Sequence, residues 1–138
     1  MSACVIDASA VLAYLFGERG GDEARRWIDR GAAISTANAQ EVMAKLVDRG
    51  TARADARADI ELLALDVVDL TMADAEEAAA MIALTKPHGL SAGDRCCLAL
   101  GRRLALPVVH AEQRWQGLAE ELGLELVLVR TAGQGASQ

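Results

Sequence analysis

Short apolar or β-branched runs alternate along this chain with longer Ala- and Leu-rich stretches in which apolar residues recur at helical period. The run at 4–6 predicts a strand, and 8–16 a helix. After Gly20-Gly21, residues 22–29 predict a second helix. A strand is expected at 33–36, and a helix at 39–49 stopped by Gly50. Residues 53–65, rich in Ala, Arg and Asp, predict another helix. A third strand follows at 66–70, then a helix at 73–84 ended by Pro87 and Gly89. Helix 92–104, strand 107–110, helix 112–122 and strand 124–130 complete the series.

Strand alternating with helix implies an α/β domain over residues 1–130, with a parallel sheet covered on both faces. Residues 131–138, rich in Gly, Ala, Ser and Gln, are expected to be a disordered tail. Right-handed crossovers run each helix antiparallel to the strands, so every helix N-terminus lies at the carboxyl edge of the sheet. Open α/β sheets bind ligands at that edge, where strand order reverses.

Four acids gather there. Asp7 directly follows the first strand in Val5-Ile6-Asp7-Ala8-Ser9. Glu41 and Asp94 sit in first helical turns, in Asn38-Ala39-Gln40-Glu41 and Ser91-Ala92-Gly93-Asp94. Glu112 follows the fourth strand in Val109-His110-Ala111-Glu112. Singly, each has a structural explanation: Asn38 with Glu41 and Ser91 with Asp94 nearly match the capping box, Asp7 suits an N-cap, and Glu112 suits a positive helix end. Thr71-Met72-Ala73-Asp74 shows the same capping signature, and Asp74 is assigned to capping alone. Jointly, converging carboxylates repel unless a cation lies among them. Magnesium takes hard oxygen ligands and keeps several waters. A bound divalent metal lowers the pKa of water and stabilises charge on a phosphate, the two demands of phosphodiester hydrolysis.

Composition narrows the picture. The chain has 138 residues, 52% hydrophobic and only 3% aromatic, so Ala, Leu, Val and Ile must build the core. No apolar run approaches the ~20 residues of a membrane span. No basic segment followed by an apolar stretch and cleavage site opens the chain, and a cytoplasmic location is expected. Cys4, Cys96 and Cys97 fit neither a disulfide framework nor a zinc spacing, and are expected to be buried reduced thiols. A net charge of −6 argues against a general nucleic-acid binder, but not against an enzyme that holds metal and touches a short stretch of RNA. His88 and His110 are too isolated for a zinc site or a histidine-pair ribonuclease.

The ordered acidic blocks carry a resemblance. Val5-Ile6-Asp7-Ala8-Ser9-Ala10-Val11-Leu12-Ala13 with Gly17-Glu18 resembles the opening of PIN-domain ribonucleases, specifically VapC-type toxins of bacterial toxin–antitoxin pairs. Asn38-Ala39-Gln40-Glu41-Val42 with Lys45-Leu46 resembles the second block. The stretch from Gly89-Leu90-Ser91-Ala92-Gly93-Asp94-Arg95 to Leu100 closely resembles the third. Pro107-Val108-Val109-His110-Ala111-Glu112 with Trp115 resembles the fourth. The resemblance runs from about Cys4 to Val129. It implies a three-layer α/β/α PIN-like fold with a five-stranded parallel sheet of order 3-2-1-4-5. It implies Mg2+ or Mn2+ held by Asp7, Glu41, Asp94 and Glu112, with Ser9 and Asn38 orienting the site. It further implies an RNA substrate, a cognate antitoxin and a homodimer. Two positions depart from the family pattern: Glu112 stands where Asp is usual, and His110 where a hydroxyl residue is usual.

The remaining candidates are weaker. Arg53 and Arg57 suit a solvated helix face better than RNA contact. Arg95, Arg102, Arg103 and Arg114 are the basic candidates near the site. Trp27 and Trp115 are expected in the core or a dimer interface, and Met72 and Met81 in the core. A phosphoryl receiver lacks its lysine after the last strand, a haloacid-type phosphatase its second Asp at Ser9, and a Rossmann binder its Gly-rich turn. Two alternatives stay open: a catalytically silent PIN module that binds a protein partner, and a PIN nuclease of RNA processing or DNA flaps.

Overall fold

A computed structural model describes residues 1–129. Among them, β1 (Cys4–Ile6), β2 (Ala32–Ser35), β3 (Asp66–Val68), β4 (Val108–His110) and β5 (Leu126–Leu128) form one parallel sheet. Its order is β3-β2-β1-β4-β5, as expected. The tail at 131–138 lies outside the described residues, as does Arg130 of the last expected strand.

The three central strands are buried along their whole length, which is why they read as unbroken apolar runs rather than as alternation. Strand alternation divides their side chains between two cores. Cys4, Ile6, Ile34 and Val109 pack against α1 (Ala8–Leu15), α2 (Gly21–Arg30), α3 (Thr36–Asp48) and α4 (Arg53–Leu62). Val5, Ala33 and Val108 face the other way, against α5 (Met72–Ala80), α7 (Ala92–Leu104) and α8 (Ala119–Leu122). The short α6 (Ile82–Thr85) continues from α5. Edge strand β3 exposes Asp66 and Val67, and its charge discourages edge pairing.

Several boundaries differ from expectation. The helix expected at 39–49 begins at Thr36, because Ser35 rather than Asn38 caps it: Ser35 Oγ accepts the Ala37 N–H at 3.2 Å. Asn38 and Glu41 therefore lie inside α3, and Glu41 is not in its first turn. The helix expected at 73–84 is divided between α5 and α6 at Met81. Pro87 then enters a 3-10 turn, Lys86–His88, since its ring cannot continue an α-helix. The helix expected at 112–122 is a 3-10 turn, Gln113–Trp115, and the separate α8. Gln116 is extended and Gly117 takes φ +89, a conformation that suits a residue without a β-carbon.

Met81 is buried, but Met72 is 85% exposed at the start of α5 and is not part of the core. Trp115 is fully buried and stacks on His110, ring centroids 4.4 Å apart. Trp27 is half-buried against the α1–α4 core and carries Arg30 over its ring. The three cysteines are free thiols; Cys4 and Cys97 are buried and Cys96 half-buried. Among the described residues no helix is long and apolar enough to cross a membrane.

Candidate functional site

Strand order reverses between β1 and β4, and at the carboxyl ends of these strands a cleft of about 530 Å³ opens. Its walls include Asp7, Glu41, Asp94 and Glu112, so the topology brings all four sequence-selected acids together.

Asp7 extends the β1 ladder by donating its N–H to Val109 O at 2.9 Å, then caps α1. Its Oδ2 accepts the Ser9 N–H at 3.0 Å and the Ser9 hydroxyl at 2.6 Å. Ser9 Oγ in turn accepts the Ala111 N–H at 2.9 Å, tying Asp7 to the loop that carries Glu112. Asp7 is buried and its Oδ1 has no hydrogen-bond partner. Burial pushes its pKa up to about 7; the Ser9 hydrogen bonds oppose this, and the charges of Asp94 and Glu41 add to it.

Glu41 is placed from two helices. Asn38, buried on α3, donates from Nδ2 to Glu41 Oε1 at 2.6 Å and to Gly93 O on α7 at 3.0 Å. Partial burial raises the Glu41 pKa, the Asn38 bond lowers it and Asp94 raises it further. Asp94 sits in the first turn of α7. Its Oδ2 accepts the Ser91 N–H at 2.9 Å while Ser91 Oγ accepts the Asp94 N–H at 3.2 Å, a complete capping box. The structural reading of Asp94 is thus correct, and it coexists with placement in the cleft. Glu112 is more exposed. It stands 3.5 Å from Arg114, whose Nη1 also donates to Gly89 O at 3.2 Å, and its own N–H donates to His110 Nδ1 at 3.2 Å.

Two residues of this site were named in the sequence only as parts of blocks and were given no role there. Gly93 was legible only as part of a motif, yet it is the wall against which the Glu41 carboxylate lies. Lys45 lines the cleft one turn beyond Glu41, and its i+4 spacing was the available signal. Conversely, Arg102 and Arg103, expected near the site, lie in the last turn of α7 at the far end of that helix. Arg102 reaches Leu122 O and Glu77, and Arg103 clasps Asp74. Arg95 donates to Leu90 O. Arg57 pairs with Glu61 on the exposed face of α4, outside the cleft. Asp74 makes a capping box with Thr71, as expected.

The donor set is all oxygen, and the buried, unpartnered Asp7 Oδ1 is an acceptor lacking a positive group. A hard divalent cation fits both features. Among the described residues no three acidic, histidine or cysteine side chains stand close enough together to hold a metal ion as they are placed. An open arrangement suits magnesium, which takes few protein ligands and keeps its waters.

Comparison with known proteins places the fold. The PIN domain family model matches residues 4–121. A toxin–antitoxin complex from Klebsiella pneumoniae shares the fold with a TM-score of 0.68 at 18% identity, over 91% of this chain and 97% of that one. VapC20 from Mycobacterium tuberculosis, described as a toxin cleaving the sarcin–ricin loop, gives 0.65 at 19% identity, over 80% and 90%. DNA-bound VapBC from Salmonella typhimurium gives 0.68 at 15% identity, over 94% and 99%. No curated protein sequence matches closely enough to refine this further. With its family model spanning most of its length, the chain belongs to the PIN-domain family.

Proposed function

We propose that this chain is a Mg2+- or Mn2+-dependent endoribonuclease, the toxin of a toxin–antitoxin pair, acting in the cytoplasm as a homodimer restrained by a cognate antitoxin. The observation that carries the enzymatic reading is the convergence of Asp7, Glu41, Asp94 and Glu112 on one cleft, with Asp7 Oδ1 buried and unpartnered. The similarity to toxin–antitoxin complexes, and to a toxin described as cleaving the sarcin–ricin loop, supports the biological role.

In this reading Asp7, Glu41 and Asp94 hold the cation. Ser9 orients Asp7, Asn38 orients Glu41 and Ser91 orients Asp94, and the three carboxylates would draw together around the cation on binding. Glu112, half-buried and paired with Arg114, supports the site through water. When bound, the cation lowers the pKa of water and offsets the charge that builds on the phosphate. Proton transfer by paired histidines has no basis here. Among the described residues no histidine lines the cleft, and His110 is buried against Trp115 with its pKa lowered by burial to about 4. Water, not the RNA 2′-hydroxyl, is therefore the nucleophile, and products carry 5′-phosphate and 3′-hydroxyl ends.

Expression of the chain alone should arrest bacterial growth, with Asp7→Asn or Asp94→Asn relieving the arrest, and purified protein should lose RNA cleavage in EDTA. Full toxicity of both folded variants at equal expression would refute the site. Cyclic 2′,3′-phosphate ends, or undiminished cleavage in excess chelator, would refute the chemistry.

A further inference from the structure

An RNA phosphate approaching this cleft meets a field of its own sign. Asp7, Glu41, Asp94 and Glu112 line it, and Asp48 extends the acidic wall along α3. One divalent ion contributes two positive charges against these five carboxylates. Something else must favour the anionic backbone, and the net charge of −6 offers no general attraction.

Among the described residues, Lys45 is the cationic side chain that lines the cleft. It is exposed and makes no ion pair or hydrogen bond among them. The other basic residues around the site are engaged: Arg95 with Leu90 O, and Arg114 with Gly89 O and Glu112. Lys45 shares the α3 stripe of Asn38 and Glu41, which lie seven and four residues earlier. Four residues of α-helix advance ~6 Å along the axis, so the Lys45 backbone stands one turn outward from the acids. Its stem, with four methylene groups, carries a compact, strongly hydrated ammonium, a point charge suited to phosphate oxygen rather than to a base edge.

Resting on the nuclease reading, we propose that Lys45 is the backbone-phosphate contact of this site, binding a phosphate of single-stranded RNA beside the acid cluster without regard to base. It is a substrate-binding residue, and its contribution is to hold RNA against the repulsion of the surrounding acids.

The test compares the Asp94→Asn chain, used to suppress cleavage, with the same chain also carrying Lys45→Met or Lys45→Arg. The probe is a short, labelled, mixed-sequence single-stranded RNA in Mg2+ over a salt series. Lys45→Met should weaken binding on the order of tenfold at low salt and make the slope of log affinity against log salt shallower by about 0.7, the value of one single-strand phosphate contact. Lys45→Arg should restore both. In the Asp94-intact protein, Lys45→Met should raise KM more than it lowers kcat. It should also leave thermal stability unchanged and slightly tighten Mn2+ binding, because a cation near the metal is gone. A merely structural lysine would not move RNA and Mn2+ affinities in opposite directions. Equal RNA affinity and salt slope with and without Lys45, in a protein whose Asp94-intact form cleaves RNA, would overturn this proposal alone. Absence of both RNA binding and cleavage would overturn the nuclease reading with it.

Discussion

A β-carbon built on Gly93 would stand 2.5 Å from Oε1 of Glu41, so the absence of a side chain on α7 is what lets the α3 carboxylate lie beside Asp94. Gly93 is within a helix and needs no unusual backbone angle, and on propensity alone alanine would stabilise this turn by about 1 kcal/mol. The obstacle is the far end of a flexible side chain, which can swing away. Gly93→Ala should therefore keep or slightly raise Tm while displacing Glu41 and breaking its bond from Asn38. Mn2+ affinity and RNA cleavage should fall at least tenfold, as when a ligand's supporting partner is lost. Unchanged metal affinity in the alanine variant would show that Glu41 is not needed where the fold puts it.

The legibility of this molecule varied with how local its causes are. The buried runs Cys4–Ile6 and Val108–His110 and the capped helix Ala92–Leu104 lay open in the sequence, because apolar continuity and Ser91-x-x-Asp94 are local signals. The four acids were visible because each follows a strand or lies near a helix start, and topology does the gathering. The beginning of α3 was misplaced, since Ser35 and Asn38 both suit a cap and only tertiary contact shows Asn38 reaching Gly93. The break at Gly117 went unseen, as a single glycine in an otherwise helical pattern is weak punctuation. Gly93 depends on what lies opposite it in space, which spacing along the chain does not record, whereas the spacing of Lys45 from Glu41 was a signal left unused.

Asp74 and Asp94 form the same capping box, and this makes Asp74 an internal control. Asp74 is buried and held by Arg103 through two contacts of 2.9 Å, at the far end of α7 from the acids. Burial alone would raise its pKa, but the hydrogen bonds from Arg103 and Thr71 outweigh it and hold the carboxyl below its usual value. A depressed acid stabilises the fold above its unfolded pKa and loses that contribution as pH falls through the folded one. Asp74→Ala should thus cost about 1–2 kcal/mol at neutral pH, from cap and charge-assisted bonds. Cleavage per folded molecule should not change. A loss of specific activity like that of Asp94→Asn would mean that the two capping boxes do not divide into one structural and one functional acid.

Glu112 carries its carboxylate one methylene farther from the backbone than the usual Asp, and Arg114 at 3.5 Å competes for it. Its loop is nonetheless held, through its N–H to His110 Nδ1 and through Ala111 N–H to Ser9 Oγ. Support through water tolerates that freedom better than direct ligation does. Glu112→Gln should reduce cleavage by roughly 10–100-fold, less than Asp94→Asn does. Glu112→Asp should be nearly neutral. An unchanged rate for Glu112→Gln would leave a three-acid centre.

Asp7 should reveal itself through stability as well as activity. Without metal its pKa is raised by burial to about 7, from 3.8 in the unfolded chain. Above pH 7 the carboxylate is charged in both states, and the folded state bears the whole cost of burying that charge. As pH falls from 7 towards 4 the folded protein takes up a proton that the unfolded chain does not, and this relieves the cost. His110 works in the opposite sense. Its pKa, lowered by burial to about 4, removes stability as pH falls from 6.5 to 4, so the overall pH profile is a compromise. Comparing Asp7→Asn with the parent at each pH cancels the histidine. Asparagine can accept both Ser9 hydrogen bonds through its carbonyl and place its amide at the unpartnered Oδ1 position. The metal-free variant should therefore be more stable than the parent at pH 8, by a few kcal/mol at one pKa unit per ~1.4 kcal/mol. The gap should narrow steadily below pH 7, stand at roughly a third of its full size at pH 5, and close only near pH 4, where the unfolded Asp7 also takes up its proton. Saturating Mg2+ should stabilise the parent at pH 8, less so at pH 5 where ligand protonation competes, and the variant little at either. Thermal melts of both proteins at the two pH values, with EDTA or with Mg2+, read out every arm of this comparison. A variant less stable than the metal-free parent at pH 8 would mean that Asp7 is a cap whose charge the fold prefers, not an acid held in readiness for a cation.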